Sequence, residues 1–134
     1  MIVNPIAGMG GKVGLKGTDS LEILAKAREL GAEPVAPARA IKALGALKHR
    51  TSNFSLLTYP SEMGEDEVRD SGLKPEVIGK ITKGRTTAED TKRAAREMLS
   101  KGVNLIIFAG GDGTAFNVLE SVGTKVPVLG IPTG

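Results

Sequence analysis

The stretch LIIFAGGDGTAFN, residues 105–117, changes from apolar to glycine-rich to polar within a few positions. The near-continuous apolar run VNLIIFA at 103–109 predicts a strand that is covered on both faces. The glycines that follow it allow a sharp turn and bring backbone N–H groups close to a ligand. The turn leads into a predicted helix over 114–122, and a helix N-terminus offers unpaired donors and a partial positive charge. The stretch therefore predicts an anion site made by Gly110, Gly111, Gly113 and Thr114.

The rest of the chain alternates between strand and helix patterns. The apolar runs predict strands over 1–4, 54–59, 76–82, 103–109 and 126–131. The 3.6-residue periodicity and capping residues predict helices from Thr18 or Asp19 to 30 and over 37–49, 61–70, 88–100 and 114–122. Long crossovers between successive strands indicate right-handed βαβ units. We predict an α/β fold in three αβα layers, with a mostly parallel, Rossmann-like sheet of about five strands.

Composition narrows the class of protein. A chain of 134 residues is one domain by length, and its 18 glycines are nearly double the usual share of about 7%. The absence of cysteine excludes a disulfide scaffold and thiolate metal sites, and favours a cytoplasmic location. No apolar run approaches the roughly 18 residues of a membrane span. The net charge is +3, and the Lys and Arg residues are scattered along the chain, which favours phosphate-bearing ligands over nucleic acid. We therefore expect nucleotide partners and neither nucleic acid nor membrane.

Three loops follow the predicted strands at the edge of the sheet where such folds bind ligands. They cover residues 5–17, 83–87 and 110–114. The first loop, residues 5–17, follows Asn4 and carries five glycines and two lysines. It matches neither the dinucleotide-binding glycine pattern nor the Walker loop, because Val13 stands where each pattern needs another residue. The loop is either a surface built for close approach to a ligand or a mobile surface loop.

Asp112 is the chemically informative residue of the glycine turn. It could merely cap the helix that follows. If it is not a cap, its carboxylate lies beside the phosphate-binding turn and would repel a phosphate. That repulsion is avoided if the carboxylate faces a metal ion or the hydroxyl that attacks phosphorus. Phosphoryl transfer mainly needs groups to be positioned and charge to be neutralised, so an ionised aspartate can align an incoming alcohol. Asp112 is our candidate catalytic residue.

Three other polar residues have simpler interpretations. Thr86 and Thr87 precede the predicted helix 88–100 and most simply cap it, although their hydroxyls could also contact a phosphate at the rim of the site. His49 is the single histidine and has no partner for a His-based triad or metal site. We therefore name Thr87 as a candidate cofactor-binding residue and no residue as a metal ligand.

Three motifs together carry a family resemblance. NPIAGMGG at 4–11, AGGDGT at 109–114 and GIPTG at 130–134 resemble the N-terminal domain of NAD kinases, most closely the prokaryotic ATP-NAD kinase-like branch. The wider superfamily includes diacylglycerol and sphingoid-base kinases and 6-phosphofructokinase. The resemblance implies a kinase that uses ATP, or sometimes polyphosphate, with Mg²⁺. In NAD kinases the acceptor is the adenosine ribose 2′-hydroxyl of NAD.

The resemblance also implies roles for individual residues. Asp112 matches the acid that orients or deprotonates the acceptor hydroxyl, and the turn at 110–114 matches the phosphate-contacting turn. A loop that lines the same crevice is matched by Asn4, Gly8, Gly10 and Gly11. A β-rich C-terminal domain supplies much of the NAD pocket in that family, and nothing in this sequence matches it. We therefore expect such a domain in the full protein, homo-oligomers, and no activity from residues 1–134 alone.

Two rival functions share these motifs. One keeps the phosphoryl transfer and replaces NAD with a lipid alcohol or another small-molecule hydroxyl. The other is a non-catalytic nucleotide sensor, because some relatives of this branch resemble accessory proteins of acetoin catabolism. The acid at position 112 favours catalysis.

Overall fold

The structure is a computed structural model that describes residues 1–15 and 20–134. Its strands are β1 (Ile2–Val3), β2 (Leu57–Thr58), β3 (Glu76–Val77), β4 (Ile106–Gly110) and β5 (Val128–Pro132). Its α-helices are α1 (Leu21–Glu29), α2 (Ala36–Lys48), α3 (Glu65–Asp70), α4 (Ala88–Ser100) and α5 (Asp112–Val122). Short 3₁₀ turns cover Gly11–Val13 and Ser61–Met63. Within the described ranges, no helix is long and apolar enough to cross a membrane.

The strands form two parallel sheets instead of one. One sheet has the order β1–β4–β5, and β2 pairs only with β3. The α/β class is confirmed, but the expectation of a single Rossmann-like sheet of about five strands is wrong. The backbone nitrogen of Met1 donates to the carbonyl of Leu57 at 2.7 Å, but the ladder goes no further. After β2 the chain curls back, and the carbonyl of Tyr59 accepts from the N–H of Glu65 at 3.1 Å instead of from β1.

Helices cover both faces of the three-stranded sheet. On one face Ile2, Ile106 and Phe108 pack with apolar residues of α4 and α5. On the other face Val3 and Ala109 pack with apolar residues of α2 and α3. Neighbouring residues of one strand thus supply opposite faces, as the alternation of side chains along a strand requires. This arrangement confirms the three αβα layers.

The helix boundaries show which local signals were sufficient. Helix α4 has the predicted bounds, 88–100. Helix α5 begins two residues before the predicted position 114, because the carbonyl of Gly111 already accepts from the N–H of Ala115 at 3.0 Å. The N-cap of α1 is Ser20, whose Oγ accepts from the N–H of Ile23 at 3.2 Å. The alternative caps Thr18 and Asp19 lie outside the described residues.

Helix α3 carries a buried acid. Glu67 is only 4% exposed, and its Oε2 atom has no hydrogen-bond partner in the described part of the chain. Burial raises the pKa of Glu67 to about 7, and the charges of Asp66 and Asp70 add to the rise. The folded state therefore holds a proton that the unfolded state has already lost between about pH 4.5 and 7. Stability falls as the pH rises through that window.

We predict that Glu67→Gln stabilises the protein above pH 7 and has little effect near pH 4.5. The gain at high pH is at most about 3 kcal/mol, since each pKa unit corresponds to about 1.4 kcal/mol. Urea unfolding at pH 5 and pH 8 measures the difference. Glu33→Gln, at an exposed position, is the control and should keep the pH dependence of the parent. Parallel pH profiles for Glu67→Gln and the parent would contradict the interpretation.

Candidate active site

The three motif segments meet at one edge of the three-stranded sheet. Strands β1, β4 and β5 are parallel, so their carboxyl ends lie together. Gly110 is in register with Pro132, and the N–H of Asn4 donates to the carbonyl of Ala109 at 2.9 Å. The segments that begin at Asn4, Gly110 and Pro132 are therefore neighbours. This is the edge where open α/β sheets bind ligands.

Asn4 joins the first loop to α5. Its Nδ2 atom donates to Oγ1 of Thr114 at 2.9 Å, and its Oδ1 atom accepts from the N–H of Ile6 at 3.2 Å. Thr114 is buried, so its hydroxyl serves this contact. The structure thus brings together two predicted site residues that are far apart in the sequence. The side chains of Asn4 and Thr114 stabilise this edge of the sheet through their hydrogen bond. Thr114 can contact a ligand through its backbone N–H.

Two glycines are required by packing inside the protein. A Cβ atom on Gly110 would overlap the side chain of Thr114. Gly8 has a φ of +85°, and a Cβ atom there would lie 2.7 Å from the carbonyl oxygen of Thr133. Gly8 therefore lets the first loop pack against the end of β5. These two positions have a structural reason to be glycine, whatever the ligand.

Two other predicted glycines face open space. Among the residues that the structure describes, a Cβ atom on Gly11 or on Gly111 would meet nothing within 4 Å. The fold around them therefore gives no steric reason for glycine. Gly10 is buried, and its carbonyl accepts from Val13 and Leu15 at 3.2 and 2.9 Å, which makes it part of the loop's internal structure. Gly111 is thus the position in the turn where the absence of a side chain leaves room for a ligand.

Asp112 is the first residue of α5, directly after the N-cap Gly111. The N–H groups of Asp112, Gly113 and Thr114 precede the first intrahelical hydrogen bond, so they have no helical acceptor. The carboxylate of Asp112 is exposed and enters no ion pair or side-chain hydrogen bond with the described residues. The side chain is not the N-cap of the helix. A free carboxylate and three free donors are therefore adjacent.

Thr87 does what its simpler interpretation predicts. It is the N-cap of α4, and its N–H and hydroxyl both donate to Oδ2 of Asp90, at 2.8 and 3.2 Å. Within the part of the chain that the structure describes, no hydrogen bond joins Thr87 to the edge formed by Asn4, Gly110 and Thr114. A contact between Thr87 and a phosphate stays a prediction.

Two residues at this edge were not expected from the sequence. Arg39 on α2 donates from Nη1 to the carbonyl of Pro132. Thr133, which follows β5, is only 3% exposed, and its Oγ1 atom has no hydrogen-bond partner. Arg39 carries no sequence signal, because its place depends on how α2 packs on the sheet. Thr133 lies in the GIPTG motif, and nothing in that motif signals that its hydroxyl is buried.

A groove lies elsewhere on the described surface. A cavity of about 680 Å³ follows α4 and the segment after β3, and its lining includes Lys80, Arg85, Arg93 and Glu97. None of the predicted site residues lines it. We place the site at the edge of the sheet, because the free donors and the free carboxylate are there.

Fold and edge together define an α/β domain with free backbone donors and an exposed carboxylate at a glycine-rich strand-to-helix turn. The profile of the ATP-NAD kinase N-terminal domain matches residues 1–134, so this chain belongs to that family. No curated protein sequence matches the chain significantly. No solved structure matches it significantly either.

The different surroundings of Gly110 and Gly111 give a matched pair of substitutions. We expect Gly110→Ala to destabilise the fold by about 1–3 kcal/mol, because the new methyl group overlaps Thr114. Gly111→Ala should change the free energy of unfolding by less than about 1 kcal/mol, the size of a change of N-cap residue. Urea unfolding measures both. A larger loss of stability in Gly111→Ala than in Gly110→Ala would contradict this assignment of the two glycines.

Proposed function

We propose that the protein containing this domain transfers the terminal phosphoryl group of ATP to the 2′-hydroxyl of NAD, giving NADP and ADP. The observation that carries the proposal is the free carboxylate of Asp112 on the first residue of a helix whose leading N–H groups are also free. Membership of the ATP-NAD kinase N-terminal domain family supports the same reaction.

The edge of the sheet fits a nucleotide phosphate. The N–H groups of residues 112–114 supply donors, and the dipole of α5 adds a partial positive charge. Gly111 leaves open space beside them. The hydrogen bond from Asn4 to Thr114 fixes the first turn of α5 against the loop after β1. The phosphate oxygens are thus held by backbone groups that are already in place before the nucleotide binds.

In the proposed reaction Asp112 acts on the acceptor. The ribose 2′-oxygen forms a bond to the terminal phosphorus of ATP, and the bond from that phosphorus to the bridging oxygen breaks, so that ADP leaves. The carboxylate accepts a hydrogen bond from the 2′-hydroxyl and takes up its proton as the new O–P bond forms. Because the transition state is loose, orientation of the hydroxyl contributes more than the strength of the base.

Mg²⁺ would enter this site with the phosphates. The described residues contain no group of three or more His, Cys, Asp or Glu side chains that could hold a metal ion. Mg²⁺ is commonly bound through one or two carboxylates, water and the substrate phosphates, and Asp112 is the carboxylate available for that purpose here. Bound Mg²⁺ would supply neutralisation of the phosphate charge. A β-rich C-terminal domain that completes the NAD pocket is part of the proposal, so activity is assayed on the full-length protein.

We predict that Asp112→Asn lowers turnover about a hundredfold or more while the fold is retained. The side chain is exposed and unpaired, so its replacement should lower the free energy of unfolding by no more than about 1 kcal/mol, the size of its interaction with the helix dipole. The assay follows formation of NADP from NAD, ATP and Mg²⁺. Asp70→Asn, another exposed aspartate of the chain, is the control and should keep the parent's turnover. Equal turnover in Asp112→Asn and the parent would remove Asp112 from the mechanism.

The identity of the acceptor is tested separately. We expect ADP release when the full-length protein and ATP are given NAD, and none with diacylglycerol or sphingosine. Release with a lipid alcohol and not with NAD would make the protein a lipid kinase. Nucleotide binding by calorimetry without ADP release for any acceptor would favour the sensor function.

A further inference from the structure

We propose that Arg39, the N-terminus of α2 and the hydroxyl of Thr133 form a second phosphate subsite at the same edge of the sheet. The inference rests on the proposed function only for the choice of nucleotide that fills the subsite. The two candidate ligands, ATP and NAD, both carry a chain of linked phosphates, and this chain is what the subsite would bind. An uncompensated cation, a buried hydroxyl without a partner among the described residues and the close packing of Gly8 meet there.

The N-terminus of α2 lacks the usual negative partners. Its N-cap Val35 makes no side-chain hydrogen bond, and its first turn contains no acidic residue. The carbonyl of Ala7 accepts from Val35 and Ala36, at 3.0 and 3.3 Å, which attaches this end of the helix to the first loop. Pro37 has no N–H, so Ala38 keeps a donor without a helical acceptor. The positive end of the helix dipole therefore lies next to the first loop, with no acidic residue in its first turn.

Arg39 adds a positive charge at the same end. Cations stabilise a helix near its C-terminus and acids near its N-terminus, so an arginine in the fourth position of α2 is unfavourably placed. Its Nη1 atom donates to the carbonyl of Pro132, which leaves most of the guanidinium donors free. Within the described residues Arg39 enters no ion pair, and Asp112, after the neighbouring strand, does not pair with it. An anion is the partner that this charge lacks.

Thr133 supplies the independent sign of a ligand. It directly follows Pro132, whose carbonyl accepts from Arg39, and its own carbonyl oxygen would lie 2.7 Å from a Cβ atom on Gly8. The residue is 97% buried, and its Oγ1 atom has no hydrogen-bond partner among residues 1–15 and 20–134. A buried hydroxyl without a partner destabilises a fold, and valine has the same shape without that cost. The hydroxyl therefore belongs to the short segment that contacts both Arg39 and the first loop, where a phosphate oxygen would satisfy it.

The first experiment uses inorganic tripolyphosphate as the probe and calorimetry as the measurement. We expect Arg39→Gln to weaken binding to the full-length protein at least about tenfold, the size of a lost charge-assisted hydrogen bond. Arg50→Gln is the matched control, because it removes the same charge beyond the opposite end of α2, from an exposed residue. It should bind as the parent does. Equal loss in both variants, no loss in Arg39→Gln, or no binding by the parent would overturn the subsite.

The second variant does not depend on Arg39. Thr133→Val should raise the thermal midpoint of the ligand-free protein, since it removes an unsatisfied hydroxyl, and should weaken tripolyphosphate binding several-fold. A merely structural threonine would not move the two measurements in opposite directions. A lower midpoint, or unchanged binding, would remove Thr133 from the subsite.

Competition identifies the source of the phosphates and separates this proposal from the kinase reaction. Displacement of tripolyphosphate by ATP assigns the subsite to the donor, and displacement by NAD assigns it to the acceptor's pyrophosphate. Arg39-dependent binding in a protein that makes no NADP would uphold the subsite and reject the kinase. NADP formation with the parent's affinity for both nucleotides in Arg39→Gln would uphold the kinase and reject the subsite.

Discussion

The parallel register of β1, β4 and β5 is the constraint on which the site depends. It places the ends of three strands side by side, so that the residues following β1 meet those following β4 and β5 although more than a hundred positions separate them in the sequence. The hydrogen bond from Asn4 to Thr114 and the contact of Gly8 with Thr133 then lock the three segments together. Both contacts need short or absent side chains. The motif residues therefore serve first to pack the three segments together. The backbone N–H groups that they leave exposed are then available to a ligand.

The glycine turn also shows how packing and binding divide between neighbouring residues. Gly110 is fixed by the side chain of Thr114, whereas Gly111 faces open space. Asp112 follows at once, on a helix whose leading N–H groups are free. A carboxylate at this place would oppose a phosphate by charge alone. Its proximity becomes useful when it faces the group that attacks the phosphorus, which is the role assigned to it in the proposed reaction.

Local signals in the sequence located the helices and the motif residues, but not the pairing of every strand. Helix α4 was predicted with its observed bounds, because its cap and apolar stripe are contained in the helix itself. The runs at 54–59 and 76–82 form only two-residue strands, since the curl after Tyr59 takes its carbonyl out of the ladder. Arg39 lies in a helix of ordinary pattern, and only tertiary packing brings it to Pro132. Strand pairing and helix packing between distant parts of the chain determine these features, and a local sequence pattern carries no information about them.

The most direct measurement is a structure of the full-length protein with NAD and a non-hydrolysable ATP analogue. We expect a carboxylate oxygen of Asp112 about 2.6–3.2 Å from the ribose 2′-oxygen, the distance of a hydrogen bond to a general base. We also expect the N–H groups of Gly113 and Thr114 to be directed at a phosphate. A carboxylate turned away from the ribose, with the phosphates bound elsewhere, would contradict the account.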